Sequence, residues 1–411
     1  MSTLQAQSAN QEELKLGLVL SGGGAKGFAH IGVLKVFEEE EIPITLITGN
    51  SIGTIVGALY STGYSAQDIE KFTKNQDWEI LLSDGVERRL KSRFKQEFEQ
   101  KYFLKLDFNK EDRKFSFPSG LVKGNNILNL FCGTTAALSD SINFSELPIP
   151  FACVAYNLET GKEEVLYGGY LAKAMLSSMA FPGVFSPVVF NDMKLLDGGI
   201  INNFPVDIAK SMGADILIGV DLKQKEEDNP QFESVTTIFK EIVNKIEEDK
   251  HIDNVELADI VINPKLDGIS TFDFKKNSID SIIKQGEIAA REQLPKIKEL
   301  IKNKSIKQNN SFENSIDKEW LITDILIPEK YNQDNQFIIT RLNLESNTKY
   351  TVEEIEKATE RVFAYGNFET VTYKLHPNDN GYSLELVVED NKNKRVMLGA
   401  AFNTVDITAF Y

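Results

Sequence analysis

The sequence predicts an α/β fold, a parallel sheet sandwiched by helices, followed by a small α+β module. Three observations carry this. Short continuous apolar runs, the first being Leu16–Leu20, alternate with helical patterns, as strands buried on both faces require. Glycine-rich turns at 21–27 and 49–53 stand directly between strand and helix. A polar stretch at 303–316, poor in hydrophobics, then separates two regions of different texture.

Each element follows in order. Residues 1–13 are polar and read as a flexible tail. After the first strand and its glycines, His30, Val33, Leu34 and Phe37 recur at helical spacing. A strand is expected at 42–48, then a helix at 52–62 closed by Gly63. Ser65 and Asp68 have the spacing of a capping box, with Asp in place of the usual Glu or Gln. Residues 68–145 are weakly patterned, with charged helical stretches and a loop at 118–124. Strands resume at 151–156, 163–167, 188–190, 194–196 and 216–222, and amphipathic helices at 235–250 and 279–302 end the unit. Residues 14–302 thus form one domain, a core at 15–225 with a helical extension at 226–302. Beyond the 303–316 linker, residues 317–391 form the small module. It reads as strands at 320–327 and 336–344, then a helix at 352–365 between Thr351 and Gly366. A hairpin follows, its strands at 368–376 and 382–389. Residues 392–411 read as one further strand with its turn.

Composition excludes several classes. The 411 residues carry 45 Lys plus Arg against 61 Asp plus Glu, a net charge of −16 that disfavours phosphate-backbone binding. Forty-two per cent apolar residues suffice for packed cores. Two cysteines, Cys132 and Cys153, exclude a disulfide scaffold. No run reaches transmembrane length, and residues 1–15 lack the apolar stretch of a signal peptide. No Cys/His spacing suggests a metal, and no cofactor is expected.

Two motifs carry chemistry. Ser21-Gly22-Gly23-Gly24-Ala25-Lys26-Gly27 leaves a strand and opens a helix. Its glycines admit close approach to the backbone, and N–H groups at a helix N-terminus favour negative charge, either a phosphate or an oxyanion. Gly49-Asn50-Ser51-Ile52-Gly53 is G-x-S-x-G in the strand-to-helix context that lifts the Ser51 hydroxyl off the backbone. A serine nucleophile needs a base. Of three histidines, His251 lies in a charged helical stretch and His376 in the small module. His30, between Ala29 and Ile31, reads as a packed core histidine. A carboxylate is the next candidate, and Asp197 ends an apolar strand in Leu195-Leu196-Asp197-Gly198-Gly199, where the glycines let another loop come close. Asp221 also ends a strand and reads as a supporting or structural carboxylate.

Taken in order, these residues resemble the patatin-like phospholipases. The resemblance rests on the glycine loop from Gly22 to Gly27, on Gly49 to Gly53 and on Asp197 to Gly199. It extends through residues 29–34 and 178–187 and covers about 15–225. It implies a Ser–Asp dyad without histidine, with Ser51 as nucleophile and Asp197 as general base. It also implies an oxyanion hole from the amides of Gly22, Gly23 and Gly24, with Lys26, Gly27, Gly49, Gly53, Gly198 and Gly199 supporting the motifs. Lys26 stands where the family often has Arg. The implied activity is phospholipase A-type cleavage of fatty-acyl esters at a phospholipid or membrane surface, with no nucleic acid as partner. The small module is similar to the POTRA fold of outer-membrane proteins. The cues are a strand–helix–helix–strand–strand order and the stretch from Val362 to Val371. That likeness implies the outer membrane or cell surface of a Gram-negative bacterium, the cytoplasm being the alternative. It also implies a β-barrel partner in a longer native chain, with 392–411 as its first strand. A homodimer is left open.

Rival readings remain. Gly22, Gly24 and Gly27 fit G-x-G-x-x-G, but the second strand ends in Thr48-Gly49-Asn50-Ser51 and not in the acidic residue a dinucleotide site needs. An inactive scaffold, or a secretion or assembly module, is the non-hydrolase alternative. Met175, Met179, Phe181, Val184 and Phe185 suit either an acyl-chain site or core packing. Arg88, Arg89, Lys91, Arg93 and Lys95 suit either a solvated helix face or lipid headgroups.

Overall fold

The structure, a computed structural model, describes residues 13–86, 90, 104–109, 114–116, 122–138, 141–224, 235–306, 318–331, 335–364, 368–390, 394–402 and 407–410. The basic cluster from Arg88 to Lys95, the proposed helix stop Gly366, nearly all of the 1–13 tail and most of the 303–316 linker lie outside them.

An eight-stranded sheet carries the first domain. Its order is Ile260–Ile262, Ile216–Val220, Leu16–Leu20, Leu46–Gly49, Phe151–Asn157, Met193–Asp197 and Val188–Phe190, with Lys162–Leu166 also on Phe151–Asn157. The first five pair in parallel. Met193–Asp197 is antiparallel to both its neighbours, and Lys162–Leu166 is antiparallel to Phe151–Asn157. The sheet is therefore parallel through these five strands, as expected, with antiparallel strands added at and beside one edge. The cause is local: Val188–Phe190 and Met193–Asp197 are joined only by Asn191 and Asp192, both at positive φ, and so short a turn can only reverse the chain.

Side-chain alternation splits the sheet into two faces. Leu16, Leu18 and Leu20 join one core with the helices Ala29–Glu39, Ile52–Ser61 and Lys276–Ile301. Val19 points the other way, to Val206 and Ala209 of the helix Val206–Ser211. Helices thus cover both faces, as expected. The strand expected at 42–48 is shorter, Leu46–Gly49, and starts after Pro43. Ser65 and Asp68 do form the capping box that opens Ala66–Asn75. The helix expected at 235–250 runs on to Leu257.

The small module is a four-stranded sheet, ordered Thr348–Thr351, Glu319–Leu326, Gly381–Asp390, Phe368–Asn378. Two helices accompany it, Asn335–Leu342 and Val352–Phe363, the second opened by a capping box between Thr351 and Glu354. The strand expected at 336–344 is thus a helix. Its run of β-branched residues concealed Ile338 and Leu342, which are buried at i, i+4 spacing. The module packs on the helix Asn125–Thr134 of the first domain. There Asn125 Oδ1 accepts from Val371 N at 2.7 Å, and Asn129 Nδ2 donates to Val371 O at 2.8 Å.

Residues 394–402 and 407–410 are two strands, where one strand and a turn were expected. Lys394–Phe402 pairs antiparallel with Leu104–Asn109, so the chain end and the weakly patterned region share a four-stranded sheet. Among the described residues no helix is long and apolar enough to cross a membrane.

Candidate active site

Sheet register brings the site together. Gly49 pairs with Cys153, and two residues further along that strand Ala155 pairs with Asp197. Asp197 therefore lies level with the point, two residues past Gly49, where Ser51 leaves the sheet.

Ser51 sits on the turn into the helix Ile52–Ser61 with φ 53° and ψ −123°. Such a backbone costs a non-glycine residue on the order of 1–3 kcal/mol, so its surroundings must enforce it. Ser178 is part of that enforcement. Its Oγ donates to Val154 O at 2.6 Å and accepts from Ser51 N at 3.1 Å, with Thr54 Oγ1 at 2.7 Å. Crowding does the rest: a Cβ on Gly53 would lie 2.1 Å from Leu20 O. Gly49 backs directly onto Gly53, and Gly27 onto Ile52, so the supporting glycines fall where the glycine loop and the serine turn touch.

Asp197 is buried, 6% exposed, and ends its strand. Burial raises its pKa, while the Gly199 amide, the Ser51 side chain and the Asn50 side chain beside it pull the other way. Gly199 N donates to Oδ1 at 2.8 Å and Asn50 Nδ2 at 3.1 Å. Gly198 has no room for a side chain, since a Cβ would lie 2.5 Å from Asn50 Oδ1. Ser51 and Asp197 are thus the pair the sequence pointed to, the Ser51 side chain close enough to the carboxyl to pull its pKa down.

The glycine loop flanks this pair. A Cβ on Gly22 would lie 3.1 Å from Ser51 Cβ. Gly22 N, however, donates to Asn203 O at 3.1 Å, so its amide is engaged and is not available to an oxyanion. Among the described residues the amides of Gly23 and Gly24 have no such partner. Gly24 has φ +56° and starts the 3-10 turn Gly24–Phe28, which contains the half-buried Lys26.

The histidines do not supply a base. His30 is fully buried, its Nε2 2.8 Å from Ser21 O, and burial lowers its pKa to about 4. His376 pairs with Glu385 at 2.7 Å in the small module. His251 lies 3.3 Å from both Asp221 and Glu247. Asp221 therefore serves His251 and not Ser51. Met175 and Phe185 are core residues, while Met179, Phe181 and Val184 are half-buried. No cluster of His, Cys, Asp or Glu suited to a metal occurs among the described residues.

Sequence reasoning missed two residues. Ser178 was noted only within the resemblance, and Asn203 not at all. The available signal was Asn202-Asn203 between Ile201 and Phe204, since an amide in an apolar run must find partners inside the fold.

Residues 18–210 match the model of the patatin-like phospholipase family. "Lysophospholipase nte1" of Aspergillus fumigatus is 28% identical over 308 residues, 69% of this chain and 18% of that protein. "Lysophospholipase NTE1" of Pyricularia oryzae is 29% identical over 53% of this chain and 12% of that protein. The chain therefore spans less than a fifth of the length of these curated relatives. Among solved structures, VipD from Legionella pneumophila aligns with a TM-score of 0.41 at 15% identity, over 69% of this chain and 67% of that one. The N-terminal region of the chain, holding the glycine loop, the serine turn and Asp197, is a patatin-like phospholipase domain.

Proposed function

We propose that the protein is a serine lipid acyl hydrolase of the phospholipase A type. The observation that carries this reading is the Ser51 side chain set against the Asp197 carboxyl on a strained turn beside glycine amides, with every histidine engaged elsewhere. Asp197 takes the Ser51 proton as Oγ attacks the ester carbonyl. The Gly23 and Gly24 amides hold the oxyanion, a kind of contact worth about a hundred- to a thousandfold in rate. Collapse expels the alcohol, which takes its proton back from Asp197 and leaves an acyl-enzyme. Asp197 then deprotonates water, which releases the fatty acid and restores Ser51. The relatives named as lysophospholipases support lysophospholipid as one substrate.

The test compares the protein with Ser51→Ala on mixed phospholipid and lysophospholipid vesicles in EDTA, following fatty acid by mass spectrometry. Release by the parent alone is expected; equal release by both would remove Ser51 as nucleophile.

For the small module we keep the POTRA-like reading, with an outer-membrane or cell-surface setting and a barrel in a longer native chain. Its support is an order of strand, helix, short strand, helix and two strands, in which Glu319–Leu326 runs parallel to the last strand, Gly381–Asp390. Cell fractionation of the native host with an antibody to residues 317–391 tests it; signal confined to the cytoplasm would reject it.

A further inference from the structure

We propose that Asn203 is a positioning residue that aims the Gly23 amide at the oxyanion and couples it, through Asn50, to the Asp197 carboxylate. The inference rests on the serine hydrolase reading and adds the residue that prepares its oxyanion donor.

Asn203 grips Gly22 at both of its backbone polar groups. Its own carbonyl accepts from Gly22 N at 3.1 Å, and its Nδ2 donates to Gly22 O at 3.4 Å. The peptide joining Gly22 to Gly23 is planar and trans, so its C=O and N–H point to opposite sides. Holding Gly22 O toward Asn203 therefore turns the Gly23 N–H away from Asn203. Glycine alone would leave this peptide free to rotate. The loop is pressed close: a Cβ on Gly22 would lie 2.3 Å from Asn203 Oδ1.

The same side chain reaches the base. Asn203 Oδ1 accepts from Asn50 Nδ2 at 2.9 Å, and Asn50 Nδ2 also donates to Asp197 Oδ1 at 3.1 Å. One amide bridge thus runs from the oxyanion loop, past the residue before the nucleophile, to the general base. A donor fixed in advance needs no reorganisation when charge develops, and for that reason its orientation affects the rate. The bonds of Asn203 go to Gly22 and Asn50 and not to the Ser51–Asp197 pair, so it acts through them.

The test uses Asn203→Ala and the near-isosteric Asn203→Leu, the second guarding against a cavity that unfolds the first. Active sites are counted with a serine-reactive phosphonate, and kcat and KM on a soluble lysophospholipid are expressed per counted site. Affinity for a trifluoromethyl ketone, whose adduct carries the same oxyanion, is measured alongside. Expected is a loss of kcat per site of about tenfold to a hundredfold, with KM within about twofold and a parallel loss of ketone affinity. An unchanged kcat per site, even with fewer counted sites or a lower Tm, overturns the proposal and leaves Asn203 a structural residue. A Ser51→Ala control that still hydrolyses overturns instead the reading on which the proposal rests.

Discussion

Asn50 Nδ2 donates to Asp197 Oδ1 at 3.1 Å, so the residue before Ser51 holds the carboxylate proposed as its base. The bond favours the ionised carboxylate, whereas burial opposes it and dominates, leaving the pKa of Asp197 raised. A general base works only when deprotonated. Hydrolysis should therefore rise with pH through a midpoint above about 3.9, the ordinary aspartate value. Asn50→Leu should move that midpoint higher still, because burial then acts with one opposing bond fewer. A kcat/KM profile on a soluble ester from pH 4 to 9 checks both. A midpoint that does not respond to Asn50 would mean that a group other than Asp197 titrates.

Gly24 gives a prediction about backbone alone. Its φ is +56°, and an added Cβ would meet Thr271 O at 2.3 Å, the same carbonyl that accepts from Ala25 N at 2.8 Å. Gly24→Ala must shift the loop proposed to hold the oxyanion donors. Activity should fall about a hundredfold or more, while stability falls by about 1–3 kcal/mol. Parallel measurement of kcat and Tm separates the two, and full activity at a lowered Tm would place the oxyanion donors elsewhere.

The site was legible in the sequence because its parts are short and local. Gly49 to Gly53 specifies a turn, and Asp197 to Gly199 marks a carboxylate with space around it. What escaped was set by distant partners. Gly22 looked like an oxyanion donor, but its amide is bound by Asn203, a residue far along the chain. The antiparallel strands near Asp197 followed from the two-residue Asn191-Asp192 turn, a signal outweighed by the apolar runs around it. The helix at Asn335–Leu342 was hidden by β-branched residues whose fate depended on the sheet beneath them.

His251 couples stability to alkaline pH. It bridges Asp221 and Glu247 at 3.3 Å each, and Lys223 approaches Glu247 at 3.6 Å. Burial lowers its pKa, but the two carboxylates beside it outweigh that and raise it from 6.5 to about 9. The folded state thus binds the proton more tightly than the unfolded one. Its contribution, on the order of 1–3 kcal/mol, is fully present below about pH 6.5 and lost as pH rises through about 9. Urea midpoints of the parent should fall across that window, and His251→Gln should flatten the fall. A parallel fall in the variant would assign the effect to other groups.

Glu356 acts where the small module meets the first domain. A Cβ on Gly133 would lie 2.4 Å from its Oε1, so the carboxyl is pressed against the helix Asn125–Thr134. Burial, with a smaller push from Glu353 against a pull from Lys357, raises its pKa from 4.5 to about 8. The folded state again holds the proton more tightly. Stability is therefore full below the unfolded value of 4.5 and declines as pH rises to about 8, where the module interface must hold a poorly solvated charge. Glu356→Gln keeps the shape and removes that charge. It should stabilise by on the order of 1–3 kcal/mol at pH 8 and by almost nothing at pH 4. Urea midpoints at pH 4, 6 and 8 measure the difference. The variant should also slow proteolytic release of the small module at pH 8. A gain of equal size at every pH would point to packing and not to the charge, and no gain at pH 8 would mean that the carboxylate finds solvent at this interface.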